Sequence, residues 1–332
     1  MLASMTRIGH LPPSLGQNFS VAEARDAGVS RSRLRANDLT APFRGARRGK
    51  TPETRDAADL DPKAGPHAAQ QSQRRSRALE YAPRMHPEHF FAQETAAALW
   101  GAPLPLFRRF GDDEQELPVH IGVFGTGALP RVTGVKGHRM RPATTRVCTH
   151  EGLRVTTPAS TWASLGTLPL HDLVALGDYF CRVWRPGYGR PATDRRPLST
   201  LAALRSAAAS GRRVGVRRLR EALELVRTDS WSPRESKVRC ILLRASLPEP
   251  RLNIDVFDDE GRFIGCVDMA YPELKIAVEY HGIWHSSTYA HDVERIARLR
   301  AAGWIVIEVT ADLVSRPHDL TSRVRQALAE RG

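Results

Sequence analysis

FIGCVDMAYPELKIAVEYHGIWH, residues 263–285, is the stretch on which the fold turns. It reads as two short strands joined by a polar turn, Tyr271-Pro272-Glu273. Each strand carries one acidic residue near its end, Asp268 in FIGCVDMA and Glu279 in LKIAVEY. In the second strand a period of two sets Lys275, Ala277, Glu279 and His281 on one face and Leu274, Ile276, Val278 and Tyr280 on the other. An apolar strand that ends in a carboxylate must find that charge a partner, and a divalent cation is the usual one. Asp268 and Glu279 are therefore candidate ligands for Mg²⁺, or Mn²⁺. The spacing equally allows them to sit at the surface and pair with Arg295 or Arg298.

Reading outward, RESKVRCILLRAS places Val238, Ile241, Leu242 and Ala245 at helical spacing, with Glu235 at the helix start on the same face. LNIDVF is a further short strand before the turn Asp258-Asp259-Glu260-Gly261. Beyond residue 285 a helix over about 290–301 stops at Gly303, WIVIEVT is a β-branched strand, and a helix over about 318–329 closes the chain. The order helix, three strands, helix, strand, helix defines a C-terminal domain over 231–332.

Upstream the signals are weaker. FSVAEARDAGVSRSRLRANDL, from Phe19, shows a helix start, a break at Gly28 and Ser30 as a second N-cap. That is a helix-turn-helix pattern in a unit over 1–50, with Arg31, Arg33 and Arg35 on or beside the second helix. Those arginines are either nucleic-acid contacts or solvated charges on a small helical hairpin. Residues 51–76 hold almost no large apolar side chains and read as a flexible linker. Residues 77–230 alternate helical and strand patterns, a mixed α/β domain without an evident catalytic constellation. The fold class is therefore α/β multidomain.

SPRESKVR, then GRFIGCVDMAYPELKIAVEYHGIWH, then HDVERIARLRAAGWIVIEVT resemble the very-short-patch-repair-like (Vsr-like) endonuclease domains of the PD-(D/E)XK superfamily. The resemblance implies a restriction-endonuclease-like αβββαβ core that hydrolyses DNA phosphodiesters with Mg²⁺. The matching positions are Glu235, Asp268, Glu279, Gly282, His285, Asp292 and Arg295, with Gly303 and Trp304 closing the pattern. It implies metal ligation by Asp268 and Glu279, catalytic roles for Glu235 and His285, and support from Asp292 and Arg295. His285 reads as a general base or phosphate contact, or as a plain loop histidine. One position departs: where the family carries Asp or Lys two residues after the Glu, this chain has His281. An imidazole can ligate a metal or move a proton, but it supplies no negative charge and favours softer cations. Upstream, FSVAEARDAGVSRSRLRANDLTAPFRG resembles the winged-helix start of abortive-infection AbiEi-type antitoxins. QETAAALWGAPLP and GLRVTTPASTWASLG resemble their following domain. This second resemblance implies DNA binding by analogy only.

Composition bounds the rest. The chain has 332 residues, 41% of them hydrophobic, enough for more than one core. Its formal net charge of +13 favours a polyanionic partner such as DNA, although lysine occurs only at 50, 63, 136, 237 and 275, and an arginine excess partly follows genomic bias. The four cysteines fall at no metal-ligand spacing, which argues against a zinc site or a disulfide framework. No membrane span or secretory leader is evident, so the expectation is a soluble, cytoplasmic protein with no membrane partner. A homodimer or a toxin partner is left open. Two function classes remain: a metal-dependent DNA endonuclease with a DNA-binding front end, and a non-catalytic DNA-binding regulator that keeps a degenerate nuclease fold.

Overall fold

The computed structural model describes residues 10–50, 65–107, 117–188, 195–281 and 286–332. The chain divides into two compact units, 1–165 with 209–213, and 166–208 with 214–332.

The first unit opens with β1 (Asn18–Ser20), α1 (Val21–Asp26), β2 (Leu39–Thr40) and β3 (Ala46–Gly49). The strands form an antiparallel sheet in the order β1-β3-β2. A reciprocal capping box starts α1: Glu23 N–H donates to Ser20 Oγ at 3.0 Å, and Ser20 N–H donates to Glu23 Oε2 at 2.7 Å. The helix ends as expected at Gly28, which takes φ 80°. The second helix of the expected pair is a single 3₁₀ turn, Arg33–Arg35. Leu34 is the one side chain of that turn that must reach the small core of Phe19 and Ala24, and one turn is enough to bring it there.

α2 (Pro66–Tyr81) corrects the linker reading: 66–76 are helical, and 51–64 lie outside the described residues. Its buried positions are Arg74, Arg77, Ala78, Glu80 and Tyr81, so within the stretch read as a linker the buried side chain is an arginine stem. Arg77 lies over the Phe43 ring at 4.5 Å, and Arg48 pairs with Glu80 at 2.7 Å. A search for large apolar residues misses such a helix. There follow β4 (Phe90–Phe91), α3 (Gln93–Leu99), β5 (Val119–Phe124), β6 (Val135–Met140), β7 (Val147–His150), β8 (Leu153–Thr156) and α4 (Pro158–Ser164). Their mixed sheet runs β6-β5-β4-β8-β7.

The second unit comprises α5 (Leu170–Cys181), α6 (Leu201–Ala209), α7 (Val216–Leu225), α8 (Pro233–Arg244), β9 (Arg251–Phe257), β10 (Phe263–Tyr271), β11 (Ile276–Tyr280), α9 (Ser286–Ala301), β12 (Ile305–Val309), α10 (Ala311–Ser315) and α11 (Pro317–Arg331). The sheet order is β12-β11-β10-β9, antiparallel except for the parallel β11–β12 pair. One face packs Met269, Val278 and Val309 against Val238 and Leu242 of α8 and Leu320 and Val324 of α11. The other packs Val267, Ala270 and Ala277 against Leu299 of α9 and Trp304. The sheet is thus the middle of three layers.

The unit begins at 166, upstream of the 231 boundary read from the sequence, and α5 packs against α8 and α7 in the same unit as the C-terminal sheet. Asp178 of α5 explains the attachment. Its carboxylate accepts from Arg239 Nη2 at 2.9 Å, Ser236 Oγ at 2.7 Å and Arg227 N–H at 2.7 Å, and both Asp178 and Arg239 are sealed from solvent. Burial pushes Asp178 upward in pKa, and Arg239 opposes it. Among the described residues no helix is long and apolar enough to cross a membrane.

Candidate functional site

The site grows from a break in strand alternation. In β9, Asn253 adopts a left-handed conformation, φ 49°. Leu252 before it packs in the α8 and α11 core, whereas Ile254 after it packs on the α9 side. Residues two apart should share a face, so the strand switches faces at Asn253. Glu235 of α8 fixes this point. Ser232 caps the helix, its Oγ accepting from Glu235 N–H at 3.2 Å. The Glu235 carboxylate is buried and accepts from Asn253 Nδ2 at 2.8 Å and Trp231 N–H at 2.9 Å.

On β10 the same region ends the ladder to β11, whose last pair is Met269 with Val278. The next inward N–H of β11, Tyr280, donates instead to Asp268 Oδ2 at 2.8 Å. Asp268 and Glu279 are the next residues of the two strands beyond that pair, close enough for the charge of Glu279 to act on the Asp268 carboxyl. Glu279 is 3% exposed, and its Oε1 accepts from Arg295 Nη1 of α9 at 2.7 Å. Arg295 reaches it by lying across Gly265, where an added Cβ would stand 2.6 Å from Arg295 Cδ. In the parallel register Glu279 is level with Glu308 of β12, which pairs with Arg300 at 2.7 Å and stands 3.8 Å from His281 Nε2.

The electrostatics follow from this crowding. Asp268 keeps some exposure at its edge, yet its carboxyl is largely desolvated. Burial, then the charges of Glu279 and Glu235, push its pKa well up, while the Tyr280 N–H and Arg295 pull it down. Burial also raises Glu279, with Arg295 opposing. Arg295 loses by burial but gains more from Glu279, Asp292 and Asp268, so its pKa rises. Among the described residues, Arg295 is the guanidinium hydrogen-bonded into this centre.

The structure brings together Glu235, Asp268, Glu279, His281, Asp292 and Arg295. Asp292 Oδ1 lies 3.6 Å from Arg295 Nη2. His285 and Gly282 lie outside the described residues. Lys275 is not on the Glu279 face of a strand; it ends a 3₁₀ turn with φ 49°, and its Nζ donates to Ala302 O at 3.1 Å. Arg298 donates to the Ile264 carbonyl at 3.1 Å, so of the two arginines expected to compete for the carboxylates Arg295 is the one hydrogen-bonded to Glu279. Arg31, Arg33 and Arg35 belong to the other unit. Arg31 and Arg35 are exposed, whereas Arg33 grips both oxygens of Asp38 at 2.8 and 2.6 Å. The sequence reading missed Asn253 and Glu308. An acid inside the apolar run WIVIEV was the available signal for Glu308.

Among the described residues no group of three or more His, Cys, Asp and Glu side chains is arranged to hold a metal ion. Two carboxylates remain, and Mg²⁺ commonly uses only one or two together with water and substrate phosphate oxygens. Glu235 holds Asn253 and the Trp231 N–H through Oε2, and Asp268 and Glu279 are the two other carboxylates of the centre that could hold a cation.

No family model and no solved structure matches the chain. It is similar to two proteins of Mycobacterium tuberculosis, the uncharacterized proteins MT2308 (strain CDC 1551 / Oshkosh) and Rv2248 (strain ATCC 25618 / H37Rv). Each is 33% identical over 122 residues, 36% of this chain and 44% of the relative. The chain thus spans less than half the length of the curated relatives it matches.

Proposed function

We propose that the second unit is a metal-dependent endonuclease that hydrolyses phosphodiester bonds of DNA, on a restriction-endonuclease-like core, with the first unit as a winged-helix-like DNA-binding front end. The observation that carries this reading is the Asp268–Glu279 pair, two desolvated carboxylates on neighbouring strands with Glu235 close by and, among the described residues, Arg295 hydrogen-bonded to Glu279. Asp268 and Glu279 would hold Mg²⁺ or Mn²⁺, and a cation so held supplies a water of lowered pKa and neutralises charge at the scissile phosphate. The protein's own groups orient the pair. The Tyr280 N–H fixes one oxygen of Asp268, and Arg295 fixes one oxygen of Glu279 and leaves the other to a ligand. Glu235 locks the Asn253 switch that opens the strands at Asp268. His281, on the Glu279 side of β11, is the group within reach of a proton there.

The test is plasmid DNA incubated with the full chain in Mg²⁺ or Mn²⁺, beside Asp268→Ala. Cation-dependent nicking by the wild type alone supports the reading; equal nicking by both, or none by either, removes it.

A second reading is favoured by one specific contact. Arg295 already neutralises Glu279, and His281 stands where a third acid would be, which is the charge balance of a nuclease fold kept as a non-catalytic DNA-binding regulator. A wild type that binds DNA without cutting, together with cleavage gained by His281→Asp, favours that reading.

A further inference from the structure

Within the unit that holds the carboxylate pair lie one cluster of arginines on tryptophan rings and one cluster of stacked aromatic rings. Arg182 lies over Trp184 at 3.6 Å and over Trp231 at 5.2 Å, and Arg195 lies over Trp184 at 5.3 Å. Tyr188 stacks on Phe263 with ring centroids 5.2 Å apart and planes 22° from parallel. Tyr188 is nevertheless 61% exposed, so its second face meets solvent. The array is continuous with the site: Arg182 Nη1 donates to Trp231 O at 3.1 Å, and Trp231 N–H donates to Glu235. From Asp268 to Phe263 is five residues of strand, about 17 Å at about 3.3 Å per residue. The array ends at the turn after Phe257, where Asp258 and Glu260 both pair with Arg262.

The exposed Tyr188 offers a π face, the half-buried Trp184 offers the ring surface its arginines leave uncovered, and those guanidinium groups offer phosphate donors. A nucleic acid presents both partners together only where its bases are unpaired, since duplex stacking hides the base faces. An acidic centre repels a polyanion, so a cationic flank is also what the Asp268–Glu279 pair needs in order to receive one. We infer that Trp184, Tyr188, Arg182 and Arg195 form a shelf that binds an unpaired nucleic-acid strand and leads it to the Asp268–Glu279 pair. The shelf rests on the nuclease reading only for what happens at its inner end; its occupant follows from rings and charge alone.

The experiment is fluorescence anisotropy of labelled oligonucleotides of about twelve nucleotides, within the range of single-strand sites, titrated with the full chain in EDTA. The probes are oligothymidylate, oligouridylate, an abasic strand of equal length and a blunt duplex. Oligothymidylate should bind several-fold more tightly than the abasic strand or the duplex. Trp184→Ala and Tyr188→Ala should each lose roughly five- to a hundredfold, the loss of one base stack, while Trp184→Phe keeps most of the affinity. Equal affinity for the abasic strand overturns the shelf and needs no variant, so misfolding cannot mask the answer. Oligouridylate binding as well as oligothymidylate makes the shelf indifferent to the sugar; tighter binding of either names the preferred strand. Because EDTA removes the cation, ring-dependent binding by a protein that leaves plasmid intact keeps the shelf and discards the nuclease. Cleavage with ring-independent binding does the reverse.

Discussion

Asp268→Asn should stabilise the cation-free protein, and the size of the gain can be worked from the site. The side chain that remains can still accept the Tyr280 N–H through its amide oxygen, so the 2.8 Å contact survives. What disappears is one buried negative charge near Glu279. At an effective dielectric of 20, two unit charges about 5 Å apart repel by on the order of 3 kcal/mol, and Arg295 offsets part of this, leaving about 1–2 kcal/mol. For a unit of this size that is a rise in Tm of roughly 2–8 °C. The pH dependence fixes the sign. A carboxyl whose folded pKa is raised above its unfolded value near about 3.9 holds its proton more tightly when folded. Wild-type stability is then fullest below that value and declines as pH climbs through the folded pKa. The advantage of Asn should therefore be absent near pH 4 and grow toward pH 8. Scanning calorimetry in EDTA at several pH values measures it, and Mg²⁺ should raise the Tm of the wild type but not of Asp268→Asn. A variant that is less stable than wild type at pH 8, or equally displaced at pH 4 and 8, would refute the argument that charge crowding governs this carboxyl.

Gly265→Ala should push Arg295 off Glu279 because the new Cβ meets its Cδ at 2.6 Å; DNA cleavage should fall at least tenfold and be restored in part by Arg295→Lys in the same chain, read from single-turnover rates. Asp178→Ala leaves Arg239 buried without its carboxylate and should cost about 3–5 kcal/mol in urea unfolding, whereas Asp178→Asn, which keeps the acceptor, should cost less. In the first unit, Arg31→Ala and Arg35→Ala should each lower the salt slope of duplex DNA binding by about one, while Arg33→Ala should leave the slope unchanged because Asp38 already holds that guanidinium.

The order of the second unit was legible because its strands are apolar runs bounded by turn residues. LNIDVF, FIGCVDMA and WIVIEVT each lie within two residues of β9, β10 and β12. LKIAVEY was legible only in its second half: Lys275 takes a left-handed conformation that ends a 3₁₀ turn, and nothing in its residue type announces that. Asp268, Glu279 and Glu235 stood out as acids inside apolar stretches. Asn253 did not, because its role depends on backbone conformation and on a partner eighteen positions away in sequence. Glu308 was hidden by the strand around it, since only the parallel register brings it level with Glu279. The first part of α2 was hidden because its buried residue there, Arg74, is charged, and the unit of α5 because a tertiary ion pair, Asp178 with Arg239, ties it to α8.

The placement of Arg295 ties these points to the chemistry. A carboxylate as buried as Glu279 is tolerable only with a counter-charge, and α9 supplies one through Arg295 before any ligand arrives. That contact engages one oxygen of Glu279, and among the described residues Asp268 is hydrogen-bonded by the Tyr280 N–H, a single dipole. The imbalance is therefore lodged on one residue, not spread over the group. A proton relieves it, which the raised pKa of Asp268 already invites, and on the proposed function so would a cation shared with Glu279. The two compete, so cation affinity should weaken as pH falls toward the Asp268 pKa, about tenfold per pH unit below it when one proton is displaced. Isothermal titration of Mn²⁺ between pH 5 and pH 8 in buffers of different ionisation enthalpy measures both the affinity and the proton released. Proton release approaching one per ion at the acid end locates the cation at Asp268; pH-independent binding without release would locate it elsewhere on the chain.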